Sequence, residues 1–149
     1  VAYLKHCQQA DGGICYSARS RGSSRPAISA AGIACFYAAG VYDRVAGGES
    51  GKEAQMVGRL VDYVKKHVSV ENNRGGHYFY THFYLAQAYY QRGGGDWKAY
   101  YPRIRDKMLS TQNTLDGSWQ GDHVGTVYGT ALALTILQLP YGHLPVYQR

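Results

Sequence analysis

Two kinds of hydrophobic pattern alternate along the chain. In one kind, apolar and small residues occupy nearly all sides of a helix, which is typical of a helix buried on most sides. In the other, apolar residues recur at steps of three and four and charged residues take the opposite face, which predicts an amphipathic surface helix. The first kind covers residues 27–41, 78–91 and 124–139, and the second covers 51–68 and 97–111. With Val1 to Gln9 as a further helix, the pattern predicts an all-α fold of about six main helices.

Glycine and proline positions agree with these boundaries. Gly40 follows the first apolar helix and suits a left-handed cap there. Pro102 is expected within the first turn or two of its helix, where its missing N–H does least harm. Pro140 ends the last helix. An inner ring of apolar helices and an outer ring of amphipathic ones would produce the alternation.

A related turn sequence precedes each apolar helix: Gln9–Tyr16, Asn73–Tyr78 and Gln112–Trp119. Asp-Gly supplies a tight turn with positive φ, the Gln or Asn side chain can bond the backbone of a neighbouring turn, and the terminal aromatic packs over the joint between hairpins. The turns recur at roughly 40 residues or more, and the insertion at Ser17–Pro26 accounts for the longer first interval. Helical repeats of this length are typical of a solenoid or a closed helical array.

The third turn, Gln-x-x-x-Asp-Gly-x-Trp at Gln112–Trp119, resembles the QW motif of squalene and oxidosqualene cyclases and the related repeats of protein prenyltransferase β subunits. This resemblance implies an α/α toroid. Six helices would form about half of such a ring. We therefore expect residues 1–149 to be a single α/α repeat domain that forms a half-toroid arc. The chain is then the carboxyl-terminal part of a longer parent chain that supplies the rest of the ring, or a second copy closes the ring, or the arc stays open.

The catalytic motifs of those enzymes do not occur in the sequence. The cyclases carry an Asp-rich D-x-D-D or D-C-T-A-E motif, and neither is present. Where the resemblance would place the Asp and Cys zinc ligands of the prenyltransferases, the chain has Ala31 and Ile33. His82 is displaced by one position, so that Thr81 matches the place of the His ligand. No metal and no cofactor is therefore expected.

Polar and aromatic residues near the starts of the apolar helices are the candidate site. The expected ligand-binding residues are Tyr16, Tyr78, Tyr80, Trp119 and Tyr128. Asp122 and His123 could act as an acid/base pair with His82 close by. The alternative is structural: Asp122 as N-cap of the last apolar helix, His123 over its first turn, and His82 as a hydrogen-bonded core or cavity histidine.

Charge and cysteine content narrow the partners. The net charge of +6 is scattered, so nucleic acid is not the expected partner. No segment reaches the eighteen or so apolar residues of a membrane-spanning helix.

Cys7, Cys15 and Cys35 are interpreted as small buried hydrophobes, with a Cys7–Cys15 or Cys15–Cys35 bridge as the alternative in an exported protein. The chain carries no targeting signal, so a cytoplasmic or an exported location remains open.

These observations predict a non-catalytic binding or scaffolding module with an aromatic-lined concave face. One alternative is part of a cyclase- or transferase-type enzyme that acts on isoprenoid or glycan substrates and keeps its acids outside this segment. Another is a structural subunit of a larger assembly. The expected partners are a second copy, the remainder of the parent protein or other protein subunits.

Overall fold

The computed structural model describes residues 1–43, 51–72 and 76–143. These residues form six α-helices and a short 3-10 helix: α1 (Ala2–Cys7), α2 (Pro26–Ala38), α3 (Lys52–His67), α4 (Tyr78–Arg92), α5 (Gly94–Thr111), α6 (Thr126–Gln138) and the 3-10 helix Leu139–Tyr141. The described part of the chain has isolated β-bridges but no strand. The all-α prediction is confirmed, with the helices in the predicted order.

The start of α5 differs from the prediction. We expected the helix to begin at Trp97, but it begins at Gly94, so Pro102 lies in the helix interior. Gly93 is the one residue between α4 and α5. Such a short connection is possible because Gly93 and Gly94 both have positive φ, which glycine adopts easily although it disfavours a helix. An ion pair between Arg92 and Asp96 spans the same junction. Gly40 has φ +75°, as its predicted capping role requires.

Two compact units divide the chain after Val68. In the first unit, α2 packs against α3. Its core is built from large apolar side chains with almost no exposed surface, including Ile14, Ile33, Phe36, Val57, Leu60 and Val64. The prediction of a single repeat domain over residues 1–149 stays a prediction.

In the second unit, α4 packs against both α5 and α6. Helix α6 lies very close to the segment 119–121 that precedes it, and two glycines make this possible. A Cβ on Gly129 would lie 2.3 Å from the carbonyl oxygen of Trp119, and a Cβ on Gly121 would lie 2.3 Å from Cα of Gly129. The core of this unit contains buried side chains from all three helices, namely Leu85, Ala86, Ile104, Met108, Ala133 and Ile136. No helix in the described residues is long and apolar enough to cross a bilayer.

Helix α6 is buried on one face only, although its sequence predicts burial on most sides. Gly129, Ala133 and Ile136 are buried, but Val127 is 85% exposed and Leu134 is 52% exposed on the opposite face. The face of α6 that carries Val127 and Leu134 is therefore apolar, and it is not buried by the described residues.

Candidate functional site

The turn that resembles the QW motif is held by its own polar side chains. Gln112 donates its side-chain amide to the carbonyl oxygen of Gly117 at 2.8 Å. The Asp116 carboxylate accepts the backbone N–H of Ser118 at 2.9 Å, and this local bond lowers the pKa of Asp116. Gly117 takes φ +72°, a conformation that favours glycine. Each conspicuous residue of the motif thus has a structural role in the turn.

The turn after α1 repeats these bonds. Gln8 donates to the carbonyl oxygen of Gly12 at 2.9 Å, the Asp11 carboxylate accepts the N–H of Gly13 at 3.0 Å, and Gly12 has φ +89°. Two backbone bonds also correspond. The Gln9 N–H donates to the carbonyl oxygen of Gly13, as the Asn113 N–H donates to that of Ser118. The Gly12 N–H donates to the carbonyl oxygen of Gln9, as the Gly117 N–H donates to that of Asn113.

The equivalence corrects the predicted alignment of the turns, by one residue at the glutamine and by two at the terminal aromatic. Gln8, and not Gln9, occupies the place of Gln112. Ile14, and not Tyr16, occupies the place of Trp119, since the Ile14 N–H donates to the Ser29 hydroxyl and the Trp119 N–H donates to the Thr130 hydroxyl. The middle turn, with its glycine at position 75, lies partly outside the described residues.

Trp119 joins the turn Gln112–Trp119 to α5. Its side chain is 3% exposed, and its indole N–H donates to the carbonyl oxygen of Met108 at 2.7 Å. The last turn of a helix leaves its carbonyl groups without intrahelical partners, and the indole supplies one for α5. Trp119 thus packs against the end of α5, and the packing of the terminal aromatic over a joint between hairpins stays a prediction.

Asp122 caps a helix, but not the helix that we expected. Its two carboxylate oxygens accept the backbone N–H groups of Phe79 and Tyr80, at 3.1 and 3.2 Å, in the first turn of α4. Helix α6 instead begins after Gly125, which makes no side-chain cap. Asp122 has φ +46°, a left-handed conformation that Asp tolerates better than most residues. The N-cap alternative for α6 is wrong, and the carboxylate acts on a helix 42 residues earlier in the chain.

The two candidate histidines have different surroundings. His82 is 1% exposed, its Nδ1 lies 3.0 Å from the Tyr100 hydroxyl, and its ring packs 4.3 Å from that of Tyr78. Burial lowers the pKa of His82 to about 4, although a hydrogen bond to the backbone of Ser69 acts in the opposite direction. His82 is therefore neutral at pH 7. His123 is exposed, and its Nε2 lies 3.0 Å from the place of a Cβ on Gly76.

A surface depression of about 320 Å³ gathers three of the predicted site residues, Tyr78, Trp119 and Asp122. Its other lining residues were not predicted: Glu71, Phe79, Lys107, Thr111 and Gln120. The Tyr78 hydroxyl donates to the carbonyl oxygen of Val70 at 2.8 Å, and burial raises the pKa of Tyr78. The depression is thus lined by both aromatic and polar side chains.

The other predicted aromatic residues lie outside this lining. Tyr80 packs edge-on against Tyr84 at 4.9 Å. The pKa of Tyr128 is raised by burial and then by the negative charge of Asp122, so Tyr128 belongs to the surroundings of that carboxylate. Tyr16 lies in the first unit, is 70% exposed, and has the Arg25 guanidinium 5.5 Å from its ring centre.

A sequence signal for part of the unpredicted lining does exist. Lys107 and Thr111 lie one turn apart on α5, on either side of Met108, whose carbonyl oxygen binds the Trp119 indole. A tryptophan that packs on the preceding helix implies that the last turn of that helix lines the same site. Glu71 gives no such signal, because a non-local contact with Arg103 positions it, at 3.4 Å.

Charged groups of both signs line the depression. Glu71 and Asp122 contribute two carboxylates against the ammonium of Lys107. The Glu71–Arg103 pair is exposed on both sides and so contributes little to stability. Among the described residues, no group of three or more His, Cys, Asp and Glu side chains is arranged to hold a metal ion.

Comparison with known proteins gives no further assignment. No family model matches the chain, and no curated protein or solved structure matches it significantly.

Proposed function

We propose that the chain is a non-catalytic binding or scaffolding module of helical-hairpin repeats, related to the α/α toroid, and that the depression beside Trp119 is its binding site. The observation that carries the proposal is the convergence of Tyr78, Trp119 and Asp122 on one depression. These residues come from the start of α4 and from the turn before α6, so formation of the site requires both elements.

The repeated turns support the relation to the toroid. Five hydrogen bonds recur in the turns that follow α1 and α5, and both turns lead to a helix rich in small apolar residues, α2 and α6. Helix α4 contacts the next apolar helix, α6, as well as the amphipathic α5. Neighbouring inner helices in a ring would make the same two kinds of contact.

A sugar ring of a neutral glycan is the ligand that suits the lining. Tyr78 is half-buried and offers apolar surface above the buried Phe79 and Trp119, while Glu71 and Gln120 offer hydrogen-bonding groups for hydroxyls. With Arg103 paired to Glu71, the two carboxylates of the lining are balanced by Arg103 and Lys107, which suits an uncharged ligand. The volume lies at the small end of the range for ligand sites, which suits one or two rings of a chain that continues into solvent.

The roles of the candidate catalytic residues support a non-catalytic module. Both oxygens of Asp122 are engaged by backbone N–H groups of α4, and His82 is buried and neutral. His123 lies over Gly76, so the three side chains have separate partners. A binding role needs none of them to transfer a proton.

Titration of the isotope-labelled chain with neutral oligosaccharides, followed by NMR, tests the site. We expect the indole resonance of Trp119 and the amide resonance of Gln120 to shift, and Glu71→Ala and Gln120→Ala each to weaken binding by roughly fivefold, the value of one hydrogen bond. Glu53→Ala, in the first unit, is the matched control and should bind as the parent does. No shift with any oligosaccharide would refute the glycan assignment, and conversion of the sugar to product would refute the non-catalytic one.

A further inference from the structure

Cys7 and Cys15 face each other across a short antiparallel pairing. Cys7 is the last residue of α1, and Cys15 follows the turn that α1 enters. A β-bridge joins Gln8 to Ile14, and the Cys15 N–H donates to the carbonyl oxygen of Cys7 at 3.1 Å. The Gln9 N–H donates to Gly13 on the other side of the bridge, at 2.8 Å. Cys7 and Cys15 therefore occupy directly opposite positions, one step from the bridge.

The spacing of such a pair suits a disulfide. Opposite residues that share a backbone hydrogen bond have Cα atoms roughly 5.5 Å apart, and disulfides form between Cα atoms roughly 4.4–6.8 Å apart. The Cys15 thiol contributes to the raised pKa of the Cys7 thiol, so the two side chains lie near each other. Both residues are 1% exposed, and burial raises the pKa of Cys7.

The third cysteine is placed differently. Cys35 lies on α2 and is exposed, whereas the Cys15 thiol is buried and donates to the carbonyl oxygen of Ser17 at 3.4 Å. Of the two bridges that the sequence left open, the geometry favours Cys7–Cys15 and leaves Cys35 as an accessible thiol.

We propose that Cys7 and Cys15 form an intramolecular disulfide in the presence of a small-molecule disulfide such as oxidised glutathione. One thiol of the pair loses its proton, and its thiolate attacks a glutathione sulfur, which breaks the glutathione disulfide and releases one glutathione thiolate. The second cysteine thiolate then attacks the protein sulfur of the mixed disulfide and releases the other glutathione. Two protein thiols are oxidised, and one oxidised glutathione is reduced to two thiols.

Access to the pair requires local opening of α1. This helix has six residues, which is too short to be stable without its contacts, so it is expected to open more readily than the longer helices. Cys35 needs no opening to react. Oxidation of the buried pair should therefore be slower than glutathionylation of Cys35.

The disulfide would fasten the first repeat turn to α1. Gln8, beside Cys7, donates to the carbonyl oxygens of both Gly12 and Met56, and so connects the turn to α3. Closing residues 7–15 into a ring restricts the unfolded chain and raises the melting temperature of the first unit, by roughly 10–20 °C for a loop of this length.

Peptide mapping of the full chain tests the proposal. The folded protein is equilibrated in an oxidising glutathione buffer and unfolded in a thiol-blocking reagent, then digested and analysed by mass spectrometry. We expect the peptides of Cys7 and Cys15 to be linked, and Cys35 to be blocked or glutathionylated. A linkage that includes Cys35, or blocked thiols at both Cys7 and Cys15 after equilibrium, would overturn the proposal.

Thermal unfolding gives a second measurement. Oxidation should raise the melting temperature of the parent and of Cys35→Ala, and should not raise it in Cys7→Ala or Cys15→Ala. An equal rise in all four proteins would contradict the assignment. The mapping of the unmodified sequence decides the question even where an alanine variant fails to fold.

Discussion

At the scale of single residues, burial determines what the titratable groups can do. His82 and His123 are the same residue type, yet His82 is enclosed between Tyr78 and Tyr100 and His123 is exposed. The enclosed ring of His82 has a pKa far below its ordinary value, because burial disfavours its charged form. The sequence presents both as candidate catalytic groups and contains no local pattern that separates them, since the enclosure of His82 comes from a tyrosine 18 residues away.

The buried His82 should make the stability of the protein depend on pH. Its folded pKa of about 4 lies below the ordinary 6.5. As the pH falls below about 6.5, the unfolded chain takes up a proton that the folded chain does not take up until about pH 4. This contribution to stability is complete above pH 6.5 and decreases by about 1.4 kcal/mol per pH unit below it, or roughly 3 kcal/mol at pH 4. Urea unfolding between pH 7 and pH 4 measures it.

Two variants identify the source of this dependence. His82→Gln removes the titrating group and can retain a hydrogen bond to Tyr100, so its stability should change less between pH 6.5 and pH 4 than that of the parent. His123→Gln is the matched control and should keep the parent slope. Equal slopes for His82→Gln and the parent would mean that other groups cause the dependence. Loss of the Asp11 carboxylate, whose pKa the Ser24 hydroxyl lowers, occurs below this range.

At the scale of the elements, local patterns predict the helices and miss the contacts between them. Side-chain periodicity is a property of a short segment, so the order of α2 to α6 follows from the sequence. The start of α5 does not, because its glycines join the helix against their intrinsic preference. The register of the first turn does not either: Gln8 and Gln9 are equivalent in the sequence, and the side-chain bonds of Gln8 to Gly12 and Met56 distinguish it in the structure.

Two helical glycines should respond in opposite ways to the same substitution. Gly129→Ala places a methyl group 2.3 Å from the carbonyl oxygen of Trp119, so the turn must move away from α6 and the protein should lose about 2 kcal/mol or more of stability. Gly58→Ala in α3 meets no atom within 4 Å and should add roughly 0.5–1 kcal/mol through helix propensity. Chemical denaturation of both variants gives the comparison. Stabilisation by Gly129→Ala would contradict the close approach of α6 to the turn.

At the scale of the whole molecule, the exposed face of α6 indicates a further contact. The helix contains no charged residue, and Val127, Ala131 and Leu134 form one exposed apolar face opposite its buried side. We expect a second copy of the chain to bind this face, because two uncharged faces can meet around a two-fold axis without like-charge repulsion although the chain carries a net charge of +6. The alternation of helix types predicts the same feature, since an inner helix needs neighbours on two sides.

We therefore expect a concentration-dependent dimer, measurable as native mass by light scattering on a sizing column. Replacing Val127 and Leu134 together by Glu places like charges on both sides of the contact and should give a monomer at every concentration. Leu115→Glu is the matched control, because Leu115 is 94% exposed in the turn before α6 and should leave the dimer intact. A parent protein that stays monomeric would show that the face of α6 does not bind a second copy. A dimer that survives the double substitution would place the contact on another surface, and the apolar face of α6 would then need a different partner.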